Sequence, residues 1–134
     1  MTKRILIMGL PGSGKTTLAL ALKERLGAAH YNADQVRKDF NDWDFSPEGR
    51  LRQARRMRDL CDSSDTEYAI ADFVAPLPEM REIFGATLTI WMDTIDSGRF
   101  EDTNKMFVKP TDWDFRITEF ESEYWAQFIV EYLN

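Results

Sequence analysis

The chain carries one cysteine and one histidine among 134 residues. A lone cysteine excludes a disulfide within the chain, and with a lone histidine it leaves too few ligands for a Cys/His zinc site. No apolar run approaches the roughly 18 residues that a membrane span requires. The opening TKR and ILIMGL mimic a signal peptide only loosely, because the apolar stretch is short and runs into Pro11 and Lys15 instead of a small-residue cleavage site. These absences predict a soluble cytoplasmic protein. Internal repeats, linkers and low-complexity segments are also missing. Basic residues are in the minority, 17 against 23 acidic, so nucleic acid is not the expected partner. That excess of acid is local: residues 101–134 hold 3 bases and 8 acids, whereas residues 1–100 are nearly neutral at 14 and 15. An anionic ligand is therefore compatible with the first hundred residues.

What is present suffices for a core. Hydrophobic residues make up 43% and aromatics 13%, and the length suits one domain over residues 1–134. KRILIM at residues 3–8 is the short apolar run of a buried parallel strand. A Gly/Pro-rich loop follows, then a helix from Thr16 to Leu26 stopped by Gly27. A short strand is expected near Ala29 to Tyr31 and a brief helix from Ala33 to Phe40. Ser46-Pro47-Glu48 offers an N-cap, a Pro at the first helical position and an acid in the first turn. That helix should run to about Cys61. Further strands are expected at Tyr68 to Val74, Ala86 to Met92 and Phe115 to Thr118, with a helical turn at Pro76 to Phe84 and a closing helix from Glu119 to Leu133. Residues 93–112 read as polar and irregular, with one helical turn. Alternating strands and helices predict an α/β, three-layer fold around a parallel sheet, with ligands beyond the carboxyl ends of the strands.

Residues 9–16, GLPGSGKT, match G-x-x-x-x-G-K-S/T between an apolar strand and a helix. This is the phosphate-cradling P-loop pattern. Gly9, Gly12 and Gly14 let the backbone approach phosphate oxygens, and the helix N-terminus adds partial positive charge. Ser13, Gly14 and Thr17 complete the expected nucleotide-binding set. Lys15 is expected on the β/γ-phosphates and the Thr16 hydroxyl on Mg²⁺. Asn104-Lys105-Met106-Phe107 approaches the base-reading N-K-x-D of GTPases, but Phe107 stands where Asp is required, so ATP is the expected nucleotide. A motor or remodelling ATPase needs sensor elements for which little chain remains. A small kinase fits the length. Asp72, ending YAIAD, is the expected second carboxylate for Mg²⁺, and Asp93, ending TIWMD, has the same style.

The acceptor side carries a family resemblance. YNADQVR at 31–37 resembles the D-G-D-x-I/V-R segment of adenylylsulfate kinases (APS kinases). FSPEGRLRQARR at 45–56 resembles that family's F-S-x-x-x-R-x-x-N-x-x-R block, and ADFVAP at 71–76, followed by Arg81, resembles its S-x-I-S-P…R block. The resemblance spans roughly residues 4–92. It implies a P-loop kinase fold and MgATP-dependent phosphorylation of the 3′-hydroxyl of adenosine 5′-phosphosulfate, a step of sulfate assimilation. It further implies that Asp34 orients and deprotonates the acceptor hydroxyl or helps hold Mg²⁺, that Arg37 and Arg50 clamp the anion, and that Phe45 stacks on the acceptor adenine. Gln53 takes the place of the family's Asn. Independently of the resemblance, Arg50, Gln53, Ala54, Met57 and Cys61 share one helical face, and an inward Arg requires an anionic partner. Arg52, Arg55 and Arg56 point mostly the other way and read as a solvated face.

The chain departs from the family at Asn32, where the first acid is expected, and at Ala75, where a Ser is expected, which makes a phosphoserine role there impossible. It departs most at residues 99–110, a reduced lid in which Arg99 or Lys105 is the candidate cation. These departures keep two other readings open: a kinase for a nucleoside, a sugar or a polynucleotide 5′-hydroxyl, and a nucleotide-binding regulatory module with little catalysis. Met57, Cys61, Trp91 and Met92 are expected in the core. His30 is expected to be structural, nothing nearby in sequence completing a catalytic pair. Trp43 and Trp113 are either surface or adenine-stacking groups. The closing helix should pack Tyr124, Phe128 and Leu133, or their neighbours, on the sheet, and it is the candidate contact of a homodimer.

Overall fold

Five apolar segments pair into one wholly parallel sheet in the computed structural model, which describes residues 1–98 and 100–134. Arg99, one of the two expected lid cations, lies outside the described residues. The elements are β1 (Lys3–Met8), α1 (Lys15–Leu26), β2 (Ala29–Asn32), α2 (Ala33–Phe40), α3 (Pro47–Asp62), β3 (Tyr68–Asp72), α4 (Pro78–Phe84), β4 (Leu88–Met92), α5 (Glu101–Met106), β5 (Phe115–Ile117) and α6 (Ser122–Leu133). The strand order is β2-β3-β1-β4-β5. β3, in the interior, is buried along its whole length, as a strand covered on both faces must be.

The helices form a layer on each face, giving the expected three-layer α/β architecture. Alternation along β1 sends Ile5 and Ile7 to one face and Leu6 and Met8 to the other. The first pair packs with Leu18 and Leu22 of α1 and with Ala126 and Ile129 of α6. The second packs with Ala54, Met57 and Cys61 of α3 and with Met80 and Phe84 of α4. Burial stabilises each large side chain by roughly 1.5–3 kcal/mol. Met57, Cys61, Trp91 and Met92 are in the core as expected. Burial, with the nearby Asp62 charge, pushes the Cys61 thiol up to about 12, which makes it inert at neutral pH.

The boundary signals act as expected. The Ser46 hydroxyl accepts from the Gly49 amide at 3.2 Å with Pro47 in the first turn, and Gly27 ends α1 in the left-handed conformation, φ 62°. The helical turn expected within residues 93–112 is the six-residue α5. On α6 Leu133 packs against the core as expected, and in place of Tyr124 and Phe128 their neighbours face inward. Ala126 and Ile129 are fully buried, whereas Tyr124 and Phe128 are 60% and 44% exposed. SEYWAQFIVEYL is apolar around most of its circumference, so periodicity alone selects no face; the small Ala126 is what allows α6 to approach the core shared with α1. No described helix is long and apolar enough to cross a membrane.

Candidate functional site

The carboxyl ends of β1, β3 and β2 lie side by side, with Ile7 opposite Asp72 and Asp72 opposite Asn32. The loop between β1 and α1 folds over this edge. Gly9 has φ +151°, and a Cβ there would lie 2.6 Å from the Met92 carbonyl oxygen. Gly14 has φ +96° and precedes α1 with no side-chain cap, and no acid occupies the helix's first turn. The amides at that helix start are thus left for an anion. Ser13 is fully buried, and among the described residues its Oγ has no hydrogen-bond partner, so this loop holds an unsatisfied polar atom of the kind a ligand completes. Lys15 is 9% exposed and donates Nζ–H to the Leu10 carbonyl at 3.0 Å, across the loop. Gly12, Thr16 and Thr17 are exposed. Thr17 and Gly14 line a cavity of about 210 Å³ with Met92, Ile117, Phe120 and Trp125.

Asp72 is 2% exposed and forms the hub of the edge. Its Oδ1 accepts from Thr16 Oγ1 at 3.2 Å and from Asn32 Nδ2 at 3.1 Å. Its Oδ2 lies 2.5 Å from His30 Nε2. Asn32 Nδ2 also reaches Thr16 Oγ1 at 3.3 Å, and Asn32 Oδ1 caps α2 through the Gln35 amide at 3.1 Å. The sequence offers His30 no partner nearby. A partner absent from the neighbouring sequence is supplied by the adjacent strand. The departure at Asn32 has a use as well, because an amide can donate to Asp72 where an acid could not. Among the described residues no three His, Cys, Asp or Glu side chains cluster as a metal cage. A hydroxyl beside one carboxylate is the sparse oxygen set that Mg²⁺ takes when phosphates complete its shell, so these residues fit the ion. Asp34 stands exposed in the first turn of α2.

Arg37 and Arg50 converge on Phe45 from two helices. Arg37 is 4% exposed and Arg50 is 7% exposed. Their guanidinium carbons lie 4.3 Å and 5.3 Å from the Phe45 ring centre. Arg37 donates to the carbonyls of Asp42 and Asp44 at 2.9 and 3.1 Å, and Arg50 donates to that of Phe45 at 2.9 Å. Among the described residues neither makes an ion pair. Burial lowers the pKa of both, against attraction from Asp42 for Arg37 and from Asp102 for Arg50. Phe45 remains 48% exposed. Gln53, 1% exposed, donates to the Ala33 carbonyl at 3.2 Å and accepts from Arg56 at 2.8 Å, tying α3 to α2.

The expected solvated arginine face is corrected in part. Arg55 is exposed, but Arg52 grips Asp42 with two hydrogen bonds, at 2.8 and 3.0 Å, and Arg56 reaches Asp42 Oδ2 at 2.8 Å. Arg52 stays on the solvated face, its side chain 46% exposed, while Arg56, 14% exposed, is drawn in by Asp42 of the 41–46 loop, which helical periodicity cannot foresee. Asp93 is engaged by Arg116 at 2.7 and 3.0 Å. Lys105 pairs with Glu101 at 3.4 Å on the exposed side of α5, and Asn104 staples Gly98 through two hydrogen bonds. Ala75, at the family's Ser position, is buried with φ +48°, and its carbonyl accepts from Arg81 at 2.9 Å. Burial pushes the Arg81 guanidinium down to about 10. Trp113 packs 5.3 Å from Trp91, and Trp43 is half-exposed.

His30 and Asn32 were not legible from sequence as partners of Asp72. They stand two apart on β2 and so share a face, but only the strand order puts that face against Asp72. The glycine-rich loop on a parallel sheet, facing a carboxylate at the end of β3, defines a P-loop kinase fold. The model for the AAA domain matches residues 5–92, and the chain belongs to that family. No curated protein matches by sequence. The Mycobacterium tuberculosis APS kinase, solved in complex with AMPPNP and APS, is similar with a TM-score of 0.78 at 20% identity, over 98% of this chain and 97% of that one. The Acinetobacter baumannii shikimate kinase in complex with shikimate has a TM-score of 0.67 at 17% identity, over 99% and 93%. A Sinorhizobium meliloti gluconokinase has 0.65 at 14%, over 98% and 95%. These likenesses establish the fold. The acceptor differs among the three.

Proposed function

We propose that this chain is a cytoplasmic MgATP-dependent phosphotransferase, one P-loop kinase-like domain that phosphorylates a hydroxyl of a small anionic acceptor. ATP takes the 9–16 loop, with Gly9, Gly12, Ser13, Gly14, Lys15, Thr16 and Thr17 around its phosphates. Thr16 with Asp72 or Asp34 would hold Mg²⁺, which neutralises charge on the phosphates when bound. Lys15 supplies fixed positive charge to the transferring group. Asp34, exposed at the start of α2, is the base that orients the acceptor hydroxyl and takes its proton. The observation that carries the acceptor class is the pair Arg37 and Arg50: two buried guanidiniums, bonded to carbonyls and without a carboxylate partner among the described residues. Buried cations in that state favour a bound anion.

Within that class the reading favours the 3′-hydroxyl of adenosine 5′-phosphosulfate, and hence sulfate assimilation. Phe45 offers a half-exposed ring beside both arginines, and the blocks at 31–37, 45–56 and 71–76 match the adenylylsulfate kinases in order. A coupled assay with ATP and APS tests this. Turnover should fall to background in Asp34→Ala. No turnover of APS, with turnover of a nucleoside, a sugar or a polynucleotide 5′-end in a parallel panel, would move the acceptor. Tight ATP binding with no acceptor-stimulated ADP release would favour a regulatory module.

The same reading includes a homodimer through α6. Phe120, Tyr124, Phe128 and Tyr132 recur every four residues and are 44–63% exposed, a larger apolar stripe than a lone helix face usually shows to water. Sedimentation velocity should give a dimer that Phe128→Glu converts to monomer. A monomeric wild-type chain removes this part of the proposal.

A further inference from the structure

His30 is the only histidine in the chain, and no step above uses it. It sits in the middle of β2, its side chain 8% exposed, with Nε2 2.5 Å from Asp72 Oδ2. An ionised carboxylate only accepts hydrogen bonds, so the ring nitrogen facing Asp72 carries the hydrogen. Asp72 is thereby held at both oxygens, Oδ2 by His30 and Oδ1 by Thr16 and Asn32. A carboxylate gripped at one oxygen alone can turn about its Cβ–Cγ bond. One gripped at both cannot, and Oδ1 stays against the Thr16 hydroxyl. Thr16 Oγ1 donates its hydrogen to Asp72 Oδ1 and accepts from Asn32 Nδ2 at 3.3 Å. One lone pair of that hydroxyl then remains, with a fixed aim.

We infer that His30 is a positioning residue: its Nε2–H fixes the Asp72 carboxylate so that the remaining lone pair of Thr16 Oγ1 points to the cation accompanying the nucleotide. This rests on the reading of residues 9–16 as a MgATP loop. The alternative role is purely structural, a donor that satisfies a buried carboxylate. Both roles predict a less stable protein without His30. Only the positioning role predicts that the folded protein loses its response to magnesium.

The test is isothermal titration calorimetry of ATP with excess Mg²⁺ and with EDTA, on the full chain. The variants are His30→Leu and His30→Met, which remove the donor, and His30→Gln, which keeps an N–H at similar reach. In wild type, Mg²⁺ should strengthen ATP binding. The Leu and Met variants should lose about tenfold of that gain, the scale of orienting hydrogen bonds behind a metal ligand. Their affinity in EDTA should match wild type, and His30→Gln should keep most of the gain. If Leu does not fold, Met against Gln carries the comparison. A full magnesium gain in the donor-free variants overturns the inference alone, as does a gain lost equally in Gln. A wild-type chain whose ATP binding ignores Mg²⁺ overturns the MgATP reading and the inference with it.

Discussion

The two sides of the sheet's carboxyl edge are built from different materials. The nucleotide side is backbone: eight contiguous residues, three glycines at positive φ, and amides at a helix start. The arginine side is side chain: Arg37 from α2, Arg50 from α3 and Phe45 from the loop between them, held to one another through carbonyl oxygens. A backbone cradle reads shape and charge common to every nucleotide phosphate. A side-chain pocket can be changed one residue at a time without disturbing the cradle. A fold divided in this way can keep its cradle while its pocket changes.

The largest effect should come from Lys15, the one charged side chain of the 9–16 loop. Lys15→Ala should reduce phosphoryl transfer by about 10²–10³ or more, the scale of removing a donor from developing charge, and should weaken ATP binding as well. Its anionic acceptor should bind as before, which equilibrium dialysis can measure. Loss of acceptor affinity in this variant would show that the two sides are one site.

Arg50→Ala should do the reverse at smaller scale. A charge-assisted hydrogen bond contributes about 1.5–3 kcal/mol, so the KM for an anionic acceptor should rise roughly 10–100-fold, with ATP affinity unchanged. Arg50→Lys should restore little, since a point charge does not reproduce the planar fork. A KM unaffected by Arg50→Ala would remove the anionic acceptor class.

The same division governs what could be read from the sequence. GLPGSGKT is contiguous, so motif, flanking strand and helix were visible together, and every expected strand and helix was present. The Arg50 face was legible because helical periodicity alone places Arg50 with Ala54, Met57 and Cys61, all buried. His30 was not legible, because its partner Asp72 lies 42 residues away on a strand whose neighbours only the strand order reveals. Arg56 misled for a related reason: periodicity places it outward, and Asp42, which draws it in, belongs to a loop without a period. The inward face of α6 was undecided because its apolar residues surround the helix.

Asp42 gives the smallest effect and the sharpest division between the sides. It anchors the 41–46 loop, accepting from Arg52 and Arg56 through its carboxylate while its carbonyl accepts from Arg37. The hydrogen bonds from Arg52, then Arg56, hold its carboxyl well below the usual range. A carboxyl depressed on folding contributes stability above its unfolded value, near about 4, and loses it as pH falls toward the folded value. Asp42→Asn should therefore melt a few degrees below wild type at neutral pH, and the gap should close as pH drops below about 4. Melting curves followed by circular dichroism across that range give the answer. At neutral pH the variant should show a several-fold higher acceptor KM, because a looser 41–46 loop no longer fixes the carbonyls that hold Arg37 beside the ring of Phe45. Its ATP affinity should not change. A matching loss of ATP affinity would mean that the loop supports both sides, and the division between backbone cradle and side-chain pocket would fall.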